Sequence, residues 1–321
     1  MTTVEEVLDR YWPVIRGRVS GGTARGYFSA YRRRIAPLLG GRDVEDLTTL
    51  DVELAFSMWS GSRSTKIDAL SMLSHICDVA VQARLIPTNP CRGVKLPKDQ
   101  AADPSGRALN LEEVQRLIGF LPEDGPYRRF VLAMLLTGCR LGEVAGMRVS
   151  DVDLESLTIR VARTASAGFS GQLVVGHTKG RRVRVVPIAD PLLPLVLEAT
   201  RGRSPHDLLF PGPRGGHINS QNLSRALRWH KLRDRIKSFP TGEPPLHWHD
   251  LRHTAAVNFF IAGLSAPDVQ AVLGHSSLAV TQLYADTRRD AARRAGTALS
   301  TFYAPVGLSK GTGGEAGESG L

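Results

Sequence analysis

The chain of 321 residues holds 41 lysines and arginines against 31 aspartates and glutamates, a formal net charge of +10. Its length exceeds the roughly 100 to 200 residues of a single domain, so two domains are expected, each able to bury its own core. The positive surplus favours a polyanion, which is nucleic acid or an anionic membrane surface.

The first residues, Met1-Thr-Thr-Val-Glu-Glu-Val, are acidic and lack the apolar stretch of a signal peptide. No apolar run approaches the roughly 20 residues needed to cross a bilayer, so a soluble chain with no membrane partner is expected. Cys77, Cys91 and Cys139 are odd in number and match no paired metal-ligand spacing, which suits a reducing, cytoplasmic setting.

Residues 3–92 read as four or five helices. Val4, Val7, Leu8 and Tyr11, then Leu70, Leu73, Ile76, Cys77 and Ala80, recur at helical spacing. Pro13, Pro37 and Pro87 are expected to punctuate these helices. Arg32, Arg33 and Arg34 follow Tyr27, Phe28 and Tyr31, so one helix should turn aromatics inward and a basic face outward, either to water or to DNA. Residues 94–106, with Pro97, Pro104 and Gly106, lack periodicity and read as a linker.

Beyond the linker, Asn110 should cap a helix over 111–120, and Gly138 should end another over 127–137. Segments 157–164, 172–178 and 183–188 are rich in Val, Ile and Thr and read as strands, with Lys179-Gly180-Arg181 as the turn between the last two. Helices return over 190–200, 220–237, 248–262, 266–273, 277–285 and 288–301, before a Gly-rich tail. The expected fold is mainly α with a small antiparallel β-sheet in the second domain. The divisions are a helical domain over 1–93, a linker over 94–106, a second domain over 107–303 and a flexible tail over 304–321. No internal repeat and no GxxxxGK loop occurs, so ATP hydrolysis is not indicated.

Four segments concentrate groups suited to a phosphodiester: Thr137-Gly-Cys-Arg140-Leu-Gly-Glu143, Lys179-Gly-Arg-Arg, His249-Asp-Leu-Arg252-His-Thr, and Leu273-Gly-His275 with Tyr284 beyond. In-line attack on phosphorus loads negative charge onto the non-bridging oxygens, which fixed cations must meet. A guanidinium matches phosphate oxygens with a rigid fork of donors and stays charged, so Arg140 and Arg252 are the candidates. Glu143, three residues after Arg140, can brace it, and His249 and Arg252, also three apart, share a helix face. His249 and His253 have the spacing of a zinc pair, but Asp250, Leu251 and Arg252 replace the glutamate base of HExxH, so no metal is expected. Lys179 is the only lysine between Lys98 and Lys231, and an ammonium, unlike a guanidinium, can give up a proton. Each group also has an ordinary reading: a surface ion pair for Arg140, a loop histidine for His275, a core tyrosine for Tyr284, a solvated turn for Lys179.

As an ordered set the four segments resemble the tyrosine recombinase, or phage integrase, family over 107–303, with a helical first half compatible with that family's core-DNA-binding domain. The resemblance implies a tyrosine recombinase catalytic fold with Tyr284 as nucleophile, His249 assisting proton movement, Lys179 as general acid and His275 as a phosphate donor. It also implies DNA contacts from Arg32, Arg33, Arg34, Arg181 and Arg182, with Glu143 in support. Double-stranded DNA, a homotetramer assembled on it, accessory proteins, and no ATP, metal or cofactor follow from the same resemblance. Two alternatives stand beside it: a type IB topoisomerase, and a DNA-binding protein that keeps the fold without cleavage. Segment 164–172 looks longer than is common in the family, and about 95 residues before the second domain leave little room for a separate arm-site-binding domain.

Overall fold

Helix starts in the N-terminal half are set by side chains that accept a backbone N–H. Thr3, with Glu6 reciprocating, caps α1 (Val4–Gly17), and Ser20 caps α2 (Gly21–Ala30). Thr48, with Asp51, caps α3 (Thr49–Met58), and Ser62 caps the long α4 (Arg63–Gln82). The chain is described by a computed structural model over residues 1–96, 107–170, 172–177, 183–240 and 243–274. Most of the expected linker, Lys179, Arg181, Arg182, His275, Tyr284, the expected helices over 277–285 and 288–301, and the tail lie outside these residues.

Pro13 and Pro37 do not punctuate as the sequence suggested. Pro13 lies inside α1, and Pro37 lies inside a π-helix (Tyr31–Gly40) that continues α2. An interior proline costs a helix about 3 kcal/mol, and burial of the apolar faces outweighs it. Val4, Val7, Leu8 and Ile15 of α1 and Ile35 of the π-helix are fully buried around Met72, Leu73 and Ile76 of α4. The basic strip after the aromatics is divided: Arg32 and Arg33 are exposed, whereas Arg34 donates from Nε to the Ser60 carbonyl at 2.8 Å.

A second cluster of buried side chains begins at Leu109 and runs to Leu251. Asn110 and Glu113 form a reciprocal cap on α5 (Leu111–Phe120). Next, α6 (Pro126–Thr137) buries Phe130, Val131 and Met134 and ends at Gly138 in the left-handed region (φ 65°), as the sequence expected. A short α7 (Leu141–Gly146) follows directly.

The strand region departs from the expectation of one sheet. Segment 157–164 divides into β2 (Thr158–Val161) and β3 (Arg163–Ala167). β2 lies between β1 (Val152–Asp153) and β5 (Arg184–Pro187) in one antiparallel sheet, while β3 pairs with β4 (Leu173–His177) in a separate antiparallel ribbon. The strands on either side of the stretch containing Lys179, β4 and β5, are therefore not paired with each other. A hairpin needs its flanking strands to share a ladder, and here the ladder partners of β4 and β5 are β3 and β2.

The tip of the β3–β4 ribbon reaches the N-terminal half. The Phe169 ring lies 5.6 Å from Trp12 and 6.2 Å from Phe28, and the Arg16 guanidinium stands 4.6 Å over it. Arg25 Nε donates to the Phe169 carbonyl at 3.3 Å. Phe28 thus meets the other half of the chain while also packing on Trp12 of its own half, 5.5 Å away.

Helices α8 (Leu193–Thr200), α9 (Ser220–Ala226), α10 (Trp229–Ile236), α11 (Asp250–Ile261) and α12 (Ala266–Leu273) complete the described fold. The single helix expected over 220–237 is broken because Arg228 adopts a left-handed backbone (φ 48°) between α9 and α10. All three cysteines are buried free thiols. Among the described residues no helix is long and apolar enough to cross a membrane.

Gly138 is the tightest joint of this fold. Its positive φ costs another residue about 1–2 kcal/mol, and an added Cβ would collide with Leu273 Cδ2 and lie 3.1 Å from Ala255 Cβ. Gly138→Ala is expected to lower the thermal unfolding midpoint by at least about 4 °C, measured by circular dichroism.

Candidate active site

The site is assembled at the turn between α6 and α7. Arg140 is the N-cap residue of α7, and Glu143 is its third helical residue, so the carboxylate folds back on the cap: Oε2 accepts from the Arg140 backbone N–H at 2.8 Å and Oε1 from Nη1 at 3.0 Å. Glu143 is only 2% exposed, while the Arg140 side chain is 35% exposed. Close packing holds α7 in place, since a Cβ at Gly142 would lie 2.7 Å from the Ala165 carbonyl oxygen and one at Gly146 3.3 Å from Arg163 backbone atoms. Glycine at both positions lets the helix rest directly on β3.

Glu143 has a second partner that the sequence reading did not single out. Arg184, the first residue of β5, donates from Nη1 to Oε1 at 3.0 Å and from Nη2 to Oε2 at 2.7 Å. Burial alone would raise the Glu143 pKa. The hydrogen bonds and charge of Arg184, with the backbone and charge of Arg140, outweigh it and hold the carboxyl below its usual range. Strand periodicity carried the missed signal: Arg184 and Val186 are two apart and so face the same side, and Val186 is 1% exposed whereas Val185 is 56% exposed.

Arg252 lies in the first turn of α11 and is buried. Its Nη1 donates to the Gly138 carbonyl at 2.8 Å and its Nη2 to the Leu273 carbonyl at 2.7 Å, which ties α11 to the α6–α7 turn and to the end of α12. Burial, and then the neighbouring charge of Arg140, lowers its pKa to about 10, which leaves it cationic at neutral pH. That coupling places the two sequence-predicted arginines within each other's field. With Arg184 they make three guanidiniums around the Glu143 carboxylate, an excess of positive charge held by protein atoms.

His249 is the N-cap residue of α11 and is exposed at the edge of this cluster. Although the side chain reaches solvent, the protein packed around it removes part of its hydration, and this, followed by the charges of His253, Arg252 and Arg140, pushes its pKa below the ordinary 6.5, so the imidazole is neutral at neutral pH. His253 stands edge-on to it, with centroids 5.0 Å apart. Among the described residues no group of three His, Cys, Asp or Glu side chains is arranged to hold a metal ion.

Two further features aim this helix start, and the sequence reading assigned neither. Asp250 is buried and accepts from Arg107 Nη2 at 2.6 Å, from Arg107 Nε at 3.2 Å and from the His247 backbone N–H at 2.7 Å. Trp248 stacks on Trp229 at 3.8 Å and donates to Ser224 Oγ at 2.8 Å, which fixes the residue before His249. Arg140, Glu143, His249 and Arg252 are therefore gathered in one place. Arg32 and Arg33 lie in the N-terminal half, lining a cavity with Arg25, Phe28 and Ser29.

Residues 107–290 match the phage integrase family, and residues 3–56 match the N-terminal SAM-like domain of phage integrases. The chain is 29% identical over 294 residues to an integrase of Mycobacterium phage D29, covering 88% of this chain and 74% of that protein. It is 28% identical over 245 residues to the tyrosine recombinase XerC of Bacillus subtilis, covering 72% of this chain and 73% of that protein. In fold it is similar to the Tn1549 transposon integrase in complex with transposon right-end DNA, with a TM-score of 0.71, 20% identity, and coverage of 93% of this chain and all of that one.

The depressed histidines generate a pH dependence with a definite sign. In the unfolded chain His249 and His253 take up protons near pH 6.5, whereas in the folded protein they resist protonation. The stability this contributes is present above about pH 6.5 and lost as pH falls toward about 4. The unfolding midpoint in urea is expected to fall over that range, and to fall less in a His249→Gln/His253→Gln variant.

Proposed function

The chain belongs to the phage integrase family, and on that premise we propose that it is a site-specific DNA recombinase that cuts and rejoins double-stranded DNA through a covalent link to Tyr284. The carrying observation is the fixed surplus of guanidinium charge at Arg140 and Arg252 around one balanced carboxylate. Burial makes such an excess unfavourable without an anion, and a scissile phosphate supplies one.

In the proposed step the Tyr284 hydroxyl attacks phosphorus and its proton passes to the neutral His249. The bond from phosphorus to the 5′-oxygen breaks, and that oxygen takes a proton from Lys179. A 3′-phosphotyrosyl bond and a free 5′-hydroxyl result. The 5′-hydroxyl of a partner strand then reverses the step, so the bond energy is retained and neither ATP nor a metal ion is required. A free tyrosine is phenolate in only about one molecule in a thousand at pH 7, which is why a base and cations must act on it together. Arg140 and Arg252 meet the charge on the non-bridging oxygens, and His275 donates to one of them.

Residues 1–93 act as the core-DNA-binding domain and 107–303 as the catalytic domain in this reading, joined by 94–106, with 304–321 as a tail. Exposed Arg32 and Arg33 are suited to phosphate contacts, as are Arg181 and Arg182 by sequence, whereas Arg34 is engaged with Ser60. Exchange between two duplexes calls for a homotetramer with head-to-tail contacts, in the cytoplasm where the DNA is, with accessory proteins at some sites.

The test uses nicked suicide duplexes drawn from DNA flanking the gene, resolved on denaturing gels. Wild-type protein is expected to give a covalent band in the presence of a chelator and without nucleotide, and Tyr284→Phe none. Arg140→Ala and Arg252→Ala should slow its formation on the order of 100-fold or more. A band retained by Tyr284→Phe, or an absolute metal requirement, would overturn the reading.

A further inference from the structure

Arg184 joins three stretches of chain that are far apart in sequence. Its two Nη atoms hold both oxygens of Glu143 in α7, at 3.0 and 2.7 Å. Its Nε donates to the Val272 carbonyl in the last turn of α12 at 2.8 Å. Its stem runs so close to α12 that a Cβ at Gly274 would lie 2.9 Å from Arg184 Cδ. The side chain is 9% exposed. In sequence Arg184 follows Lys179 by five residues, and Val272 precedes His275 by three.

We infer that Arg184 is a positioning residue of the cleavage reaction: by balancing Glu143 it leaves the charge of Arg140 to the scissile phosphate, and by holding Val272 it fixes where the chain sets out toward His275 and Tyr284. This rests on the recombinase reading above. Glu143 Oε1 accepts from both Arg140 and Arg184, at 3.0 Å each. A buried carboxylate needs a full countercharge. With Arg184 present, that countercharge is a bidentate guanidinium and Arg140 is a second, surplus cation. Without it, Arg140 becomes the only cation among the described residues hydrogen-bonded to Glu143, and the carboxylate competes with DNA for it. A lysine could supply the charge but not three coplanar donors to two oxygens and a carbonyl.

The test measures covalent-complex formation on the same nicked duplexes beside DNA affinity by gel shift. Arg184→Met removes the charge and keeps the stem. It is expected to slow covalent-complex formation on the order of 100-fold with affinity changed less than about threefold, a split that general unfolding does not produce. In a Glu143→Gln background, where no carboxylate needs balancing, the same substitution should slow the step by only about tenfold or less. Should Arg184→Met fail to fold, Arg184→Lys, which keeps the charge, is expected to form the complex at a rate between those of wild type and Arg140→Ala. A wild-type rate in the folded Arg184→Met or Arg184→Lys protein would overturn the inference, as would an equal loss in both Glu143 backgrounds. Wild-type protein that gives no covalent band on any flanking duplex would instead overturn the recombinase reading.

Discussion

The Glu143 carboxylate is the constraint around which the second half of the chain is arranged. A carboxylate 2% exposed is tolerable only when its oxygens are filled by donors and its charge is matched. Among the described residues four hydrogen bonds do this, two from Arg140 and two from Arg184. Each partner lies on a different element, so satisfying one side chain sets the position of α7 against β5. The glycine contacts of α7 on β3 then place the whole α6–α7 turn on the ribbon. Gly138 closes the arrangement by bringing Leu273 and Ala255 against the helix end.

Arg252 extends the same logic with backbone acceptors. Helix ends leave carbonyls without helical partners, and Arg252 donates to two of them, Gly138 after α6 and Leu273 at the end of α12. A cation that satisfies carbonyls does not lose its charge to a carboxylate. Arg252 therefore keeps a positive field beside Arg140, whose charge, after burial, lowers the Arg252 pKa. Preorganisation of this kind is what phosphoryl transfer asks of a protein, because the charge is held in place before the reaction and needs no rearrangement during it.

The contact of Phe169 with Trp12, Phe28 and Arg16 gives segment 164–172 a structural role. A ribbon whose far end carries aromatic weight can brace the two halves of the chain against each other, and the Arg25 bond to the Phe169 carbonyl adds direction. Arg32 and Arg33 lie near this contact, in the same cavity as Arg25 and Phe28. The basic face of the N-terminal half and its junction with the second half are thus neighbours.

Much of this chain is legible from local rules. Asn110 and Gly138 bound α5 and α6 because capping and left-handed termini are decided by the residues themselves. The pairing of Arg140 with Glu143 follows from three-residue spacing, and the shared origin of His249 and Arg252 from the same helical period. Sequence pattern also identified the family, because the order of the four motifs is a one-dimensional property. Tertiary structure alone decided the rest. Two prolines sit inside helices because buried apolar faces outweigh a lost donor, and one expected strand became two because strand pairing is a choice of partner that alternation does not encode. Arg184, Arg107 and Asp250 take their roles from residues more than 40 positions away. Their side chains look like ordinary surface charges until folding removes water from one face of each; strand alternation marks the inward side of Arg184, but no local pattern names the partner it meets there.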